Sequence, residues 1–100
     1  MPPRKRLEWK PEALRELEEA ITWYADRNPD AAKRIKAVIE AAARDLIDTT
    51  APVTGKPGRK PGTLEKIVGK PAPYTLVYRP KPDAPEVLQI LSVLHHARDY

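Results

Sequence analysis

The order of elements along the chain predicts an α+β fold: an N-terminal helical hairpin packed on a twisted, mainly antiparallel sheet of about four strands. Three observations predict it. Residues 6–9 are typical of a short strand, residues 11–50 carry apolar positions at helical spacing, and three strand-like segments follow between residues 64 and 94. With 100 residues and 41% hydrophobic content, residues 1–100 are expected to form a single domain around one modest core.

The first helix is predicted from Pro11, because proline favours the first helical position. Before it, residues 6–9 are expected to form an edge strand with Leu7 and Trp9 on one side. The apolar stripe of the helix consists of Leu14, Leu17, Ile21 and Tyr24, with Ala20 beside them. Asn28-Pro29 is a turn signal, so this helix should end near Arg27.

Asn28 is also the predicted N-cap of a second helix, with Pro29 at its first position and Asp30 in its first turn. Its apolar stripe is Ile35, Val38, Ile39, Ala42 and Leu46. Residues 49–52 should end this helix. Because the connection between the helices is so short, they are expected to form an antiparallel hairpin.

The second half of the chain predicts three strands. Residues 54–62 are expected to be a basic loop, and residues 64–68 a short strand followed by a turn at 69–73. Residues 74–79 alternate, with Tyr74, Leu76 and Tyr78 on one face and Thr75, Val77 and Arg79 on the other. Residues 80–85 predict a proline-rich hairpin connection. Residues 87–94 are apolar on both faces and predict a central strand.

Charge is divided unevenly along the chain. The net charge is +4, and residues 1–10 and 51–100 are basic while residues 11–50 are acidic. Such a distribution suits a polyanionic partner, although basic residues also serve solubility. The absence of cysteine makes an intracellular, cytoplasmic location the simplest expectation. No apolar stretch is long enough to span a membrane, and the basic N-terminus lacks the apolar core of a signal peptide.

Four segments together resemble a known family. They are Asn28-Pro29 at the helical joint, residues 58–65, residues 73–79, and residues 90–100 with the ending His95-His96-Ala97-Arg98-Asp99-Tyr100. Their order and spacing resemble the RelE/ParE superfamily of type II toxin–antitoxin toxins. The resemblance implies a growth-inhibiting toxin neutralised by a cognate antitoxin. RelE-like members cleave mRNA in the ribosomal A site, whereas ParE-like members poison DNA gyrase and have lost the nuclease site.

The resemblance also implies candidate catalytic residues for metal-free RNA cleavage, which needs a base, an acid and cations around the phosphate. Arg79 corresponds to the arginine under the scissile phosphate, and Arg59 to a phosphate-binding arginine. His95 falls where the family often has a histidine, and Tyr100 in the tail suits a base contact. The alternatives are structural: Arg79 capping a strand edge or pairing with Asp99, and His95 bonded to backbone at a strand end.

Further cations are expected to contribute generic phosphate affinity, although loop lysines are often simply solvated. They are Lys56, Lys60, Lys66 and Arg98. No acidic cluster suggests a metal site, so no cofactor is expected. One departure weakens the nuclease hypothesis: Asp45 and Asp48 stand where well-characterised ribosome-dependent members carry lysines or a glutamate. Packing roles are expected for Trp9, Trp23, Tyr24, Tyr74 and Tyr78.

The leading hypothesis from the sequence is therefore a toxin that cleaves mRNA on the ribosome. Two rivals stay open. One is a gyrase-directed inhibitor, in which the same residues would be structural and the basic tail a protein-binding surface. The other is a small RNA- or ribosome-binding module without catalysis or an antitoxin.

Overall fold

The computed structural model describes residues 6–47, 56–57, 62–69 and 72–96. In chain order the elements are β1 (Arg6–Trp9), α1 (Pro11–Ala25), α2 (Pro29–Asp45), β2 (Lys56–Pro57), β3 (Leu64–Ile67), β4 (Tyr74–Lys81) and β5 (Ala84–His95). The strands form one five-stranded sheet in the order β1-β5-β4-β3-β2. Only the β1–β5 pair is parallel among these strands, so the predicted α+β class with a mainly antiparallel sheet is confirmed.

Both helix starts follow the local chemistry that the sequence predicts. Pro11 occupies the first turn of α1, and Asn28 is the N-cap of α2. The Asn28 side-chain oxygen accepts a hydrogen bond from the backbone N–H of Ala31 at 3.2 Å. This bond satisfies one of the N–H groups that a helix start leaves without an intrahelical partner.

The core lies between the helical hairpin and one face of the sheet. The helices contribute Ala13, Leu17, Ala20, Ile35, Ile39, Ala42 and Ala43, and the strands contribute Tyr74, Leu76, Tyr78, Leu88, Ile90 and Val93. Strand β5 is central, with β1 on one side and β4 on the other. Its burial from residue 87 to residue 90 confirms the prediction from its continuous apolar run.

Two packing expectations on α1 are wrong. Leu14 is 44% exposed, and the adjacent Ala13 is fully buried in its place. Successive helical residues are rotated by about 100°, so Ala13 and Leu14 point in different directions. The buried arc of α1 consists of Ala13, Leu17 and Ala20, and the small side chains of the two alanines let this arc approach the sheet. Trp23 is 48% exposed and lies outside the same arc. Arg27 covers its ring instead, with the guanidinium carbon 3.8 Å from the ring centroid.

Two connections also differ from the prediction. Residues Lys56 and Pro57 form a two-residue strand paired with β3, where the sequence predicts only a loop. The expected connection over 80–85 is shorter, because β4 continues to Lys81 and β5 begins at Ala84. Pro80 pairs with Leu88 next to a register shift. Proline is tolerated at such irregular positions, where its missing N–H costs no ladder hydrogen bond.

Neither α1 nor α2, the helices of the described part of the chain, is long and apolar enough to cross a membrane.

Candidate functional site

Strand β4 divides its side chains between two faces of the sheet. Tyr74, Leu76 and Tyr78 are buried in the core beneath the helices. Thr75, Val77 and Arg79 alternate with them and therefore lie on the opposite side, here called the outer face. This separation decides which of the candidate residues can act together.

Arg79 belongs to a chain of hydrogen bonds that crosses three strands of the outer face. Glu8 pairs with Gln89 in the β1–β5 register, and Gln89 pairs with Arg79 in the β5–β4 register. The Arg79 Nε donates to Gln89 Oε1 at 3.1 Å, and Gln89 Nε2 donates to Glu8 Oε1 at 2.8 Å. Lys81 Nζ lies 3.9 Å from the second oxygen of Glu8. We call Arg79, Gln89 and Glu8 the outer-face relay.

Gln89 is the central residue of the relay and is only 4% exposed. A buried amide needs partners for both of its ends, and Arg79 and Glu8 supply one each. Turning the amide over would set donor against donor at Arg79. The sequence did carry one signal for this residue, since Gln89 is the polar position within the apolar segment 87–91.

His95 lies on the other face of the sheet. It is paired with Tyr74 across the β4–β5 ladder, and the two rings meet edge-to-face with centroids 5.0 Å apart. Arg79 is five residues further along β4 than Tyr74, which is an odd number and places it on the opposite face. The distance along the strand is about 16 Å. The structure therefore does not bring His95 and Arg79 to a common site.

His96 follows β5 and is tied to the beginning of β4. Its backbone N–H donates to the carbonyl of Pro73 at 2.8 Å, and its Nε2 lies 2.8 Å from the Thr75 hydroxyl. Thr75 is on the outer face, four residues from Arg79. That separation corresponds to about 13 Å of strand, so His96 is also distant from the guanidinium.

The remaining candidate residues are dispersed or lie outside the described residues. Lys66 on β3 pairs with Leu76 and therefore lies on the helix side of the sheet, away from Arg79. Lys56 is part of β2, where its backbone pairs with Glu65. Outside the described residues lie Arg59, Lys60, Arg98 and Tyr100. Within the described part of the chain, no group of three or more His, Asp or Glu side chains is arranged to hold a metal ion.

Glu16 is a second polar contact that the sequence did not predict. Its carboxylate oxygen Oε1 accepts hydrogen bonds from the Ser92 hydroxyl at 2.8 Å and from the backbone N–H of Val93 at 3.1 Å. The β1–β5 pairing ends at Trp9 and Ile90. Glu16 of α1 thus bonds the edge of β5 just beyond the point where β1 stops.

The hydroxyl of Tyr78 is the buried polar side-chain atom that lacks a hydrogen-bond partner within the described residues. Tyr78 is completely buried between the helices and the sheet. Burial disfavours the phenolate and raises the pKa of Tyr78 above its usual value of about 10. The hydroxyl is therefore a local cost within the core rather than an accessible reactive group.

These features define a small α+β protein with a helical hairpin on one sheet face and the outer-face relay on the other. Residues 7–100 match the family described as ParE toxin of type II toxin-antitoxin system, parDE. The chain is 37% identical over 92 residues to Y4kP, a candidate toxin of Sinorhizobium fredii (strain NBRC 101917 / NGR234), covering 92% of this chain and 88% of that protein. The chain therefore belongs to the ParE toxin family within the RelE/ParE superfamily.

Solved structures show the same fold. The chromosomal ParDE toxin–antitoxin system from P. aeruginosa matches with a TM-score of 0.78 at 20% identity, covering 92% of this chain and 96% of that chain. The RelBE2 toxin–antitoxin complex from Mycobacterium tuberculosis matches with a TM-score of 0.58 at 26% identity, covering 98% of each chain. The prediction of a RelE/ParE superfamily toxin is confirmed.

Proposed function

We propose that this chain is a growth-inhibiting toxin that acts on DNA gyrase without cleaving RNA, and that a cognate antitoxin protein neutralises it. The observation that carries the proposal is the separation of Arg79 and His95 on opposite faces of the sheet. Metal-free cleavage of RNA needs a proton-transfer group and a cation at the same phosphate. Two groups about 16 Å apart along a strand, with the sheet between them, do not meet that requirement.

The surroundings of Arg79 support the same interpretation. Its Nε is already bonded to Gln89, which is bonded in turn to the carboxylate of Glu8. This arrangement favours a fixed contact residue over a cation that reorganises around a changing phosphate. Residues 7–100 match the ParE toxin family. The resemblance implies that gyrase-directed ParE members lack the nuclease site, and this agrees with a mode of action that involves no RNA cleavage.

The antitoxin part of the proposal is supported by the two solved relatives. One is a ParDE toxin–antitoxin system and the other is the RelBE2 toxin–antitoxin complex. A toxin of this family encoded without a neutralising protein would stop the growth of its own host. The partner of this chain is therefore proposed to be a small protein encoded beside it.

A second candidate is the ribosome-dependent mRNA cleavage that the sequence favours. One observation supports it: Arg79 is partly exposed, and its Nη atoms form no hydrogen bond within the described residues. Arg59 and Tyr100, proposed as its catalytic partners, would have to supply the proton transfer from outside the described residues. A non-catalytic RNA- or ribosome-binding module is the third candidate.

The experiment that separates these functions is induction of the chain in a bacterium together with a supercoiling assay on purified gyrase. We expect filamentous cells, DNA damage signalling, intact transcripts and inhibited supercoiling. Transcripts cleaved on ribosomes, with normal supercoiling, would overturn the gyrase proposal and support RNA cleavage. Unimpaired growth at a verified level of folded protein would count against both toxin mechanisms.

A matched pair of arginine variants sharpens that result. Arg79→Ala removes the relay arginine, and Arg34→Ala removes an exposed arginine of α2. If RNA cleavage were the mechanism, Arg79→Ala would abolish transcript cleavage and Arg34→Ala would not. Under the gyrase proposal neither the parent protein nor either variant produces cleaved transcripts.

A further inference from the structure

We propose that Arg79 binds an acidic side chain, Asp or Glu, on an apolar segment of a protein partner, and that Gln89 and Glu8 position its guanidinium for that contact. The inference rests on the proposed function in one respect, which is that the ligand of this face is a protein and not RNA. Gln89 and Glu8 are positioning residues in this proposal, because they act only through Arg79.

The first argument is the geometry of the bound guanidinium. Gln89 holds the Nε, which is the inner nitrogen of the group, at 3.1 Å. The two Nη nitrogens are then the donors left for a ligand, since the described residues offer them no other acceptor. Two donors on one side of a planar guanidinium match the two oxygens of a carboxylate in a bidentate pair.

The second argument is preorganisation. A free arginine loses much side-chain entropy when it is immobilised by a ligand. Here Gln89 is itself 4% exposed and held at its other end by Glu8, so its Oε1 has a fixed position. Folding has therefore already restricted part of the side-chain freedom of Arg79, and a ligand meets a guanidinium that is held in one orientation.

The third argument distinguishes a protein from RNA. Single-stranded RNA is recognised largely by stacking of its bases on aromatic rings. In the described strands the aromatic residues Trp9, Tyr74 and Tyr78 all pack in or against the core on the helix side. The outer face beside Arg79 carries aliphatic Val77 instead, and further along Ile67, which is 54% exposed. An arginine next to aliphatic surface is typical of a protein interface.

The fourth argument is the local charge. Arg79 and Lys81 lie around the carboxylate of Glu8, and exposed Arg6 lies two residues before Glu8 on the same strand face. The same face also carries the buried Glu65, which pairs with Val77, so the three cations outnumber the two carboxylates. This part of the outer face is therefore net positive and attracts an acidic side chain. A polyanionic backbone would place further phosphates near Glu8, whose carboxylate would repel them.

The experiment observes the Nε–Hε signal of Arg79 by ¹⁵N NMR at low ionic strength. The probes are a six-residue peptide with one glutamate among valine and serine residues, and a hexauridylate RNA, each added to the full chain. We expect the peptide to shift the Arg79 signal with a lower dissociation constant than the RNA. Stronger binding of the RNA at this signal would overturn the assignment to a protein carboxylate.

Variants test the positioning role. Gln89→Met should weaken peptide binding about fivefold, as expected for the loss of one orienting hydrogen bond, and should accelerate Hε exchange of Arg79. Glu8→Ala should also accelerate Hε exchange, whereas the removal of its negative charge acts in the opposite direction on the affinity for an anionic peptide. Glu8→Gln keeps the acceptor for Gln89 and should restore slow exchange. Arg79→Lys keeps the charge without the planar fork and should weaken binding most. Unchanged affinity and exchange in folded Gln89→Met would overturn the proposal. If Gln89→Met does not fold, unchanged Hε exchange in Glu8→Ala would overturn it instead.

The matched control is Lys81→Ala, which removes a positive charge from the same face without removing a bond of Arg79. It should lower the affinity for both probes by a similar factor and leave Hε exchange unchanged. Gyrase takes no part in this experiment. A failure to inhibit supercoiling would therefore count against the proposed function alone. The absence of a shift in the Arg79 signal on addition of the peptide would count against this inference alone.

Discussion

The ring of His95 lies edge-on against the ring of Tyr74, with 5.0 Å between centroids and an angle of 84° between planes. This contact belongs to the helix side of the sheet and continues the row of core residues along β4. Edge-to-face pairs of this kind stabilise by about 1 kcal/mol beyond the area they bury. Packing thus gives His95 a role that needs no chemistry of its imidazole.

Replacing His95 by phenylalanine should preserve the toxin. His95→Phe keeps an aromatic ring against Tyr74, so we expect growth inhibition and a free energy of unfolding close to those of the parent chain. His95→Ala should lose about 1 kcal/mol of stability because the ring contact is removed. Urea denaturation and induction in a bacterium measure the two effects. A folded His95→Phe protein that no longer inhibits growth would instead support proton transfer by the imidazole.

Removing the Glu16 carboxylate should destabilise the junction between α1 and β5. Glu16→Ala leaves the Ser92 hydroxyl and the Val93 N–H without their acceptor, and hydrogen bonds to charged groups contribute about 2 kcal/mol each at most in such half-buried places. We expect a loss of about 2 kcal/mol in the free energy of unfolding. Glu16→Gln retains an acceptor oxygen and should lose less.

Glu18 provides the control for that measurement. It lies two residues further along the same helix and is exposed, so Glu18→Ala should change the stability by less than about 0.5 kcal/mol. Equal losses at Glu16 and Glu18 would mean that the contact with β5 does not stabilise the fold.

The buried hydroxyl of Tyr78 should cost stability. Tyr78→Phe removes a polar atom that has no partner within the described residues and should stabilise the fold by about 1 kcal/mol at pH 7. Tyr24→Phe is the control, because the Tyr24 ring is only partly buried. Denaturation in urea measures both variants. A destabilised Tyr78→Phe protein would show that the hydroxyl has a partner outside the described residues.

The same residue predicts a pH dependence. Burial raises the folded-state pKa of Tyr78, so above pH of about 10 the unfolded chain loses this proton while the folded chain keeps it. Stability contributed by the neutral phenol is therefore present below that pH and lost as the pH rises beyond it. The advantage of Tyr78→Phe over the parent chain should widen between pH 10 and 11, and a constant difference would contradict the raised pKa.

The N-cap of α2 should respond to the acceptor oxygen of residue 28. Asn28→Ala removes the bond to the Ala31 N–H and should cost about 1 kcal/mol, or a fall of about 5 °C in Tm. Asn28→Asp keeps an acceptor and should retain most of the stability. Thermal unfolding followed by circular dichroism compares the three proteins, and equal Tm values would show that the cap contributes nothing.

Local signals in the sequence were enough for most of the fold. Pro11, Asn28 and Pro29 determine where the helices begin, because proline and a capping side chain act on their own neighbouring backbone. Alternation along residues 74–79 identified the face of β4 that packs against the helices, because successive side chains of a strand point to opposite faces. The extent of the last hairpin was not predicted, because Pro80 and Pro85 signal a break locally, whereas in the fold Pro80 pairs with Leu88 and Pro85 lies within β5.

The candidate site divides along the same line. Sequence by itself determined the family, the helical hairpin and the identity of Arg79 as a residue of interest, because these depend on order, spacing and composition. Only the tertiary structure decided that His95 faces the core, that Gln89 and Glu8 hold Arg79, and that Glu16 bonds β5. Each of those facts depends on the register between strands or on how a helix meets a sheet edge, and residues 8, 79 and 89 become neighbours only when three strands are aligned.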